Sequence, residues 1–264
     1  MHALTARNDM REFDISGRVA LVTGGTRGLG RSISLQLARA GATVHAGYFN
    51  NEAAAVTFRE EVAGADLRCA TFKANLMTSS GIQACHDQIA HSAGRLDALI
   101  YNSATGVHKP LHELTQRHLA TVWQVNVGAF FDLAVKLLPL MQPGARIVAI
   151  SSEGAQRAVD HYGAIGSSKG ALEALCRQMA AEWASRGIGV NVVAPGLLRT
   201  DTLTAMPDSE RRVQAEAARS PLRRLVSLEE VARVVHFLCS AASEGIVGET
   251  IVVDGGKRIS SLCV

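Results

Sequence analysis

The feature that most constrains this chain is the alternation of short apolar runs with longer amphipathic stretches from one end to the other. The apolar runs are nearly uniform in character, which is typical of parallel strands covered on both faces. They lie at residues 18–23, 42–47, 67–73, 96–102, 145–151, 188–194 and 249–254. Stretches with helical periodicity lie at 29–40, 52–63, 79–93, 113–140, 163–186 and 228–241. The pattern predicts right-handed βαβ crossovers and a doubly wound, parallel, seven-stranded α/β sheet with helices on both faces.

Composition narrows the class of protein further. Of the 264 residues, 47% are hydrophobic and 19% are charged, which is enough apolar material for a sizeable core. We find no repeat or linker, so we expect a flexible extension at residues 1–13 and a single domain at 14–264. The net charge of +3 and the lack of a dense basic run argue against nucleic-acid binding.

The lack of a visible targeting signal and the pattern of the cysteines predict a cytoplasmic protein. The start of the chain is polar and has no apolar core of a secretory signal. No apolar run approaches the roughly 18 residues that span a membrane. The five cysteines form no C-x-x-C pair, as expected of a reduced intracellular chain.

A glycine-rich loop follows the first predicted strand and opens the first predicted helix. It reads TGGTRGLG, with Gly24, Gly28 and Gly30 where the chain must turn, approach a pyrophosphate and pack closely. In this context backbone N–H groups and the positive end of the helix face the phosphates. The loop therefore predicts a Rossmann-type dinucleotide site.

The end of the second strand bears on the choice of dinucleotide. An NAD site usually carries a carboxylate there, whereas this chain has Tyr48, Phe49, Asn50 and Asn51. Arg27 in the glycine loop can pair with a 2′-phosphate, although it can also simply face solvent. The sequence favours NADP(H) over NAD(H).

A tyrosine and a lysine stand seven residues apart in the stretch DHYGAIGSSKGALEAL. In a helix this spacing falls about 20° short of two turns and rises about 10.5 Å, so Tyr162 and Lys169 can share a face with Ile165 between them. Lys169 would then reach a nicotinamide ribose, and its charge would favour phenolate character on Tyr162 in a desolvated site. In the alternative, Tyr162 is a surface residue and Lys169 a solvated one.

Several motifs in this order resemble the short-chain dehydrogenase/reductase family over roughly residues 14–256. Besides TGGTRGLG they are LDALIYNSA, VNVGAFF, AISSEG, NVVAPGLLRT and VGETIVVDGG. The resemblance implies a catalytic group of Tyr162, Lys169, Ser152 and Asn126. Ser152 can contact substrate or cap its turn, and Asn126 can hold a water chain to Lys169 or satisfy a helix kink. The resemblance also implies cofactor contacts at Gly24, Thr26, Arg27, Gly28, Leu29, Gly30, Asn75, Leu76, Asn102, Ser103, Ala104, Lys169, Pro195, Gly196, Leu198 and Thr200.

One departure from the family pattern narrows the expected reaction. The usual YxxxK would place a tyrosine at 165, where this chain has isoleucine. The YxxxxxxK spacing of Tyr162 and Lys169 is similar to that of enoyl-acyl-carrier-protein reductases, and the stretch from Thr200 onwards resembles the NADPH-dependent type III enzymes. This resemblance implies reduction of the C=C bond of an enoyl thioester, in fatty-acid or polyketide-type synthesis, with Tyr162 hydrogen-bonded to the developing enolate.

Two other functions stay open at this point. One is a ketoreductase on 3-oxoacyl or polyketide-like carbonyls, and the other is a non-redox member of the fold, which Ile165 motivates. The histidines show no ligand spacing, so no metal is expected. The resemblance implies a homotetramer with helices 113–140 and 163–186 between subunits. A loop from about 200 to 222 is expected to cover the acyl chain, and its arginines 211, 212, 219, 223 and 224 could meet an acyl carrier protein or a phosphopantetheine phosphate.

Overall fold

The computed structural model describes residues 12–204 and 208–260. It contains seven strands in the described residues, β1 (Val19–Thr23), β2 (Thr43–Tyr48), β3 (Cys69–Lys73), β4 (Leu96–Tyr101), β5 (Met141–Ile150), β6 (Gly189–Pro195) and β7 (Thr250–Val253). All neighbours pair in parallel, in the order β3-β2-β1-β4-β5-β6-β7. The predicted sheet is confirmed.

Helices cover both faces of this sheet. They are α1 (Gly28–Arg39), α2 (Glu52–Gly64), α3 (Ser79–Ser92), α4 (Gln116–Trp123), α5 (Ala129–Leu137), α6 (Gly163–Trp183), α7 (Asp201–Thr204), α8 (Ser209–Arg219) and α9 (Leu228–Leu238). Because strand side chains alternate between faces, Leu21 packs into the core with α3, α5 and α6, while Val22 packs into the core with α1 and α9. Both cores are apolar, which explains why the strands are apolar throughout.

The prediction of one continuous helix at 113–140 is wrong in one respect, because the helix is interrupted. A short 3₁₀ turn at Leu111–Glu113 precedes α4, and a π-helical turn at Gln124–Gly128 separates α4 from α5. Asn126 lies in that turn and is fully buried. Single π turns inside helices are frequent at functional sites, and this one brings Asn126 to the sheet edge that carries the candidate site.

Helix α8 lies within the stretch that the sequence led us to expect as a loop. Its residues are mostly alanine, glutamate, arginine and glutamine, which favour helix, but none of its side chains is buried. The apolar stripe that marks a core helix is therefore absent, and periodicity could not reveal it. Residues 205–207, between α7 and α8, lie outside the described part of the chain.

The remaining features are the N-terminal segment, the search of the described residues for membrane spans and metal ligands, and the cysteines. Of the extension predicted at 1–13, residues 1–11 lie outside the described residues, and the ring of Phe13 packs 6.1 Å from that of Phe237. Among the described residues, no helix is long and apolar enough to cross a bilayer, and no group of three or more potential ligands could hold a metal ion. The described cysteines are unpaired, and burial raises the pKa of Cys176 to about 12.

Candidate active site

The glycine loop between β1 and α1 is shaped to accept a pyrophosphate. Gly28, the first residue of α1, has φ of +50°, which a residue with a side chain rarely adopts. A Cβ on Gly30 would lie 1.9 Å from the carbonyl oxygen of Gly24, so only glycine fits there. Helix α1 has no side-chain cap and no acidic residue in its first turn. Its N–H groups are therefore suited to an anion.

A cavity of about 700 Å³ opens from this loop along the carboxyl edge of the sheet. Most of the predicted cofactor contacts line it, namely Gly24, Thr26, Arg27, Gly28, Leu29, Asn75, Leu76, Asn102, Ser103, Ala104 and Thr200. The sequence analysis missed other lining residues, Phe72, Met77, Cys85, Thr105, Thr121 and Val125, because their positions follow from packing and not from a motif. The size and the lining suit a dinucleotide.

Five predicted cofactor contacts do not line this cavity. Gly30 is packed beneath the loop against Gly24 and Asn102, and Pro195 is buried at the end of β6. Gly196 lies against Asp254, and Leu198 packs against the core beside α9. Lys169 is also outside this lining, and its own contacts are described below.

The sequence predicted no carboxylate at the end of β2, but the structure places that of Glu52 beside Tyr48. The Tyr48 hydroxyl donates to Glu52 at 2.7 Å, and Arg59 donates to the same carboxylate at 3.2 Å. Arg59 therefore offsets the charge of Glu52. Arg27 is exposed beside the same cavity. A tyrosine followed four residues later by a glutamate at a helix start is the signal that could have revealed this pair.

Asn102 holds the glycine loop rather than pointing only at a ligand. Its side-chain N–H groups donate to the backbone oxygens of Thr23 and Gly24, at 3.1 and 3.2 Å. The Thr23 hydroxyl oxygen accepts the backbone N–H groups of Asn102 and Ser103, each at 3.0 Å. These bonds join the ends of β1 and β4, which lie on either side of the crevice.

The Tyr162 hydroxyl lies beside Ser152, two residues beyond β5. It donates to Ser152 Oγ at 3.2 Å, and the Tyr162 ring lies 5.5 Å from that of His108. Tyr162 is the N-cap residue of α6, with φ of −110° and ψ of 10°. The structure therefore brings together two predicted catalytic groups, but it places the tyrosine before the helix and not on a helical face shared with Lys169.

The protonation state expected for Tyr162 is wrong. Burial raises its pKa, the Ser152 hydrogen bond lowers it, and the Glu153 carboxylate raises it, for a net rise above the usual value. Lys169 contributes no resolved effect to that pKa. Tyr162 is therefore a neutral phenol at pH 7 and can donate a hydrogen bond, whereas phenolate character is disfavoured.

Lys169 is almost completely buried on α6. Its Nζ donates to the backbone oxygen of Ile150, the last residue of β5, at 2.7 Å. Burial lowers its pKa to about 8, although Cys176 and Glu173 act in the opposite direction. The ammonium form still predominates at pH 7, with capacity for further acceptors.

The Asn126 side chain is fully occupied by protein groups. Its Nδ2 donates to the Thr105 backbone oxygen at 3.1 Å and to Ser168 Oγ at 2.9 Å, and its Oδ1 accepts the Thr105 N–H at 2.9 Å. Of the two roles left open, these bonds support a structural one, since the amide holds the loop after β4 and α6 against the π turn. No contact with Lys169 is observed for this side chain among the described residues.

Ile165 fills an apolar site behind the tyrosine. It is 6% exposed and packs in a small cluster with Val122 and Ala164, against which Tyr162 and Leu114 also lie. A Cβ on Gly106 would lie 2.4 Å from Ile165 Cδ1. The position that would carry the family's usual tyrosine is thus part of the core, and the hydroxyl that lies beside Ser152 belongs to Tyr162.

Comparison with known proteins agrees with this geometry. Residues 24–258 match the family model described as enoyl-(acyl carrier protein) reductase. The chain is 37% identical to 1-cyclohexenylcarbonyl-CoA reductase of Streptomyces collinus, over 92% of this chain and 87% of that protein. It is 35% identical to a tropinone reductase homologue of Arabidopsis thaliana, over 95% of this chain and 96% of that protein.

A solved structure shows the same fold with a bound dinucleotide. Gluconate 5-dehydrogenase of Burkholderia cenocepacia, in complex with NADP and tartrate, superposes with a TM-score of 0.86 at 26% identity, covering 96% of this chain and 99% of that one. The chain is an oxidoreductase with a Rossmann-type fold. It belongs to the short-chain dehydrogenase/reductase family, in the group described as enoyl-(acyl carrier protein) reductases. The family and the NADP(H) cofactor predicted from the sequence are confirmed.

Replacing Arg27 with alanine should change cofactor preference. Loss of a charge-assisted contact to the 2′-phosphate is expected to raise the KM for NADPH about 10- to 100-fold and to leave the KM for NADH nearly unchanged. Arg31→Ala is the matched control, because Arg31 lies in the first turn of α1, just after Arg27, and pairs with Glu61 at 2.5 Å. Equal changes for both cofactors would contradict a role in recognising the phosphate.

Proposed function

We propose that the protein is an NADPH-dependent enoyl-thioester reductase. One arrangement carries the proposal: the Tyr162 hydroxyl donates to Ser152, while Ile165, at the usual tyrosine position, is buried in an apolar cluster. The spacing is that of the enoyl-reducing branch, and the Streptomyces collinus relative is named for reduction of an unsaturated acyl-CoA. NADPH, when bound, supplies the reducing equivalent.

The residues of the site fit the charge that conjugate reduction creates. Electron density arriving at the β-carbon of an enoyl thioester develops as an enolate on the thioester oxygen. Neutral Tyr162 stabilises that oxygen by donating its O–H, and such a donor is typically worth about 3–4 kcal/mol. Because Ser152 accepts the same proton in the structure, the phenol must exchange that bond for one to the substrate.

Lys169 has a positioning role in this proposal. Its Nζ is anchored on the Ile150 oxygen, at the edge where the nicotinamide half of the cofactor lies in the proposed complex. The remaining N–H groups hold the ribose hydroxyls, and the buried ammonium places positive charge near the developing enolate. The α-carbon then takes its proton from Tyr162 or from water.

A ketoreductase is the second candidate, and one contact favours it. The Tyr162–Ser152 pair resembles a serine and tyrosine that together polarise a ketone, and the Arabidopsis thaliana relative is named a tropinone reductase homologue. A ketone oxygen, however, lies directly on the carbon that is reduced. An enolate oxygen lies farther away, which suits a hydroxyl displaced by three residues along the chain from the usual position.

Carrier recognition is proposed for fewer arginines than the sequence suggested. Arg224 forms two bonds of 2.7 Å with Glu230, and Arg219 lies 3.5 Å from Glu216. Arg223 donates to the backbone oxygen of Ala218. The two ion pairs offset the charges of Arg224 and Arg219, so Arg211 on α8 is the stronger candidate for contact with an acyl carrier protein or a coenzyme A phosphate. A role of the enzyme in fatty-acid or polyketide-type synthesis depends on delivery of its substrate by such a carrier.

Substrate panels distinguish the two reactions. NADPH oxidation should be measured with crotonyl-CoA and longer or cyclic enoyl thioesters, and with matched 3-oxoacyl thioesters. We expect turnover of the enoyl set and at least about a tenfold lower kcat/KM for the 3-oxo set. Turnover of ketones alone would establish the ketoreductase, and NADPH binding without any turnover would support a non-redox protein.

Replacing Tyr162 with phenylalanine tests the donor. Removal of one donor to the oxyanion should lower kcat about 10²- to 10³-fold, because the enolate loses its hydrogen bond. NADPH affinity, measured by fluorescence, and the unfolding midpoint should stay close to the parent values. A variant with parental kcat would remove Tyr162 from the mechanism.

We infer that the protein is a homotetramer. Trp123, Phe131 and Val135 are each more than 40% exposed along α4 and α5, although their residue types favour burial. A second copy that packs here would cover them, as the family resemblance implies. Light scattering should give four times the 28.0 kDa chain mass, and Phe131→Glu should dissociate the assembly. A monomeric parent protein would contradict the inference.

A further inference from the structure

Three charged side chains from separate segments meet beside the Tyr162 loop. Lys257 Nζ donates to both carboxylate oxygens of Glu153, at 3.0 and 2.9 Å, and also to Glu216. Glu153 begins the 3₁₀ turn Glu153–Ala155 after β5, Glu216 lies on α8, and Lys257 follows β7. Their side chains are 14%, 19% and 9% exposed, so water screens the group only partly.

The Glu153 arm of this group leads to Tyr162. Gly154 lies against the tyrosine ring so closely that a Cβ would stand 2.5 Å from Tyr162 Cδ1. The Gly154 N–H donates to Ser152 Oγ at 3.3 Å, which is the oxygen that accepts the Tyr162 hydroxyl. The turn that Lys257 holds through Glu153 is therefore the surface on which the proposed donor rests.

The Glu216 arm leads to α8, which has no buried side chain of its own. Just beyond its last residue, Ser220 Oγ donates to the Gly255 oxygen at 2.9 Å, and Glu216 lies one turn earlier. Near its other end, Arg199 pairs with Glu210 at 3.0 Å, and both of these side chains are exposed. The Lys257 contact is thus the more buried of these two ion pairs that hold the helix.

Helix α8 also lies close enough to His108, a neighbour of Tyr162, for the charge of Arg212 to act on it. Burial lowers the pKa of His108, and the positive charge of Arg212 lowers it further. Arg212 lies on α8, and the His108 ring stands against the Tyr162 ring. A charge on α8 therefore acts on the ring that contacts Tyr162.

We propose that Lys257 is a positioning residue that couples the placement of Tyr162 to the seating of α8 over the acyl group. The proposal rests on the function proposed above. The ammonium lies between two carboxylates, so its removal leaves Glu153 and Glu216 facing each other, with only the more exposed Arg157 (3.8 Å from Glu153) and Arg219 (3.5 Å from Glu216) beside them. The repulsion between the two carboxylates lifts α8 and displaces the turn beneath Tyr162. Lys257 itself does not contact the reacting atoms.

Single-arm variants separate the two effects of Lys257. Glu216→Gln keeps the Lys257–Glu153 pair and should mainly raise the KM for the acyl thioester. Glu153→Gln keeps the Lys257–Glu216 pair and should mainly lower kcat. Lys257→Met should do both, with kcat/KM reduced about 10- to 100-fold, since displacement of a catalytic group by about 1 Å is enough for such a loss. Lys257→Arg, which retains the charge, should recover most of the activity.

Trypsin cleavage within α8 gives a readout that does not depend on turnover. The rate of cleavage at the α8 arginines, followed by mass spectrometry on the full chain, should increase at least about fivefold in Lys257→Met and Glu216→Gln. It should stay at the parent rate in Lys257→Arg and Glu153→Gln. If the parent protein has no enoyl reductase activity but Lys257→Met and Glu216→Gln are still cleaved faster, the proposed function is refuted and the Lys257–α8 contact stands.

Two results would overturn the inference. In the first, Lys257→Met is cleaved at the rate of the parent protein and has the same kcat/KM. In the second, Glu216→Gln and Glu153→Gln change KM and kcat in the same way, so that the two arms cannot be separated. If Lys257→Met does not fold, as judged by circular dichroism, the Glu216→Gln and Glu153→Gln pair decides the question alone, because each variant keeps one salt bridge.

Discussion

The site depends on the constraint that parallel strands bring all their carboxyl ends to one edge of the sheet. Strand order reverses between β1 and β4, so the segments that leave these two strands diverge and open a crevice. Thr23 at the end of β1 accepts the N–H groups of Asn102 and Ser103 after β4, which fixes the width of that crevice. The glycine loop lies at this reversal, and the ends of β5 and β6 continue the same edge toward Tyr162.

Burial then decides the charges at this edge. Lys169 keeps a proton at pH 7 despite its burial, with a pKa of about 8, while burial keeps Tyr162 neutral. Glu173 lies one turn beyond Lys169 and accepts from Ser151 at 2.7 Å and Gln156 at 3.1 Å. The buried edge thus presents the Lys169 cation and the neutral Tyr162 donor, with the Glu173 carboxylate held by Ser151 and Gln156. This combination favours a substrate that gains negative charge during reaction.

Sequence patterns predicted the features that depend on local order. The strands and the glycine loop follow from motifs whose spacing is fixed by one turn or one strand. Features that depend on tertiary contacts could not be predicted. A helix kink at Asn126 was one of two open roles, but its π form and its partners were not predictable. Helix α8 has no apolar stripe, and ion pairs from distant segments position it. The raised pKa of Tyr162 likewise depends on burial and on Glu153, neither of which a helical wheel contains.

Ile165 explains why these tertiary contacts matter more here than in a chain with the usual spacing. A tyrosine at 165 would lie inside α6, held by the helix that also carries Lys169. With isoleucine packed into the core at that position, the hydroxyl comes from the N-cap, where the chain has φ of −110° and leaves the helix. Its orientation is then set by the 153–155 turn, which Lys257 holds from the far end of the chain. In the proposed mechanism, a shift of the donor by three residues transfers control of its geometry from α6 to the 153–155 turn and its ionic contact with Lys257.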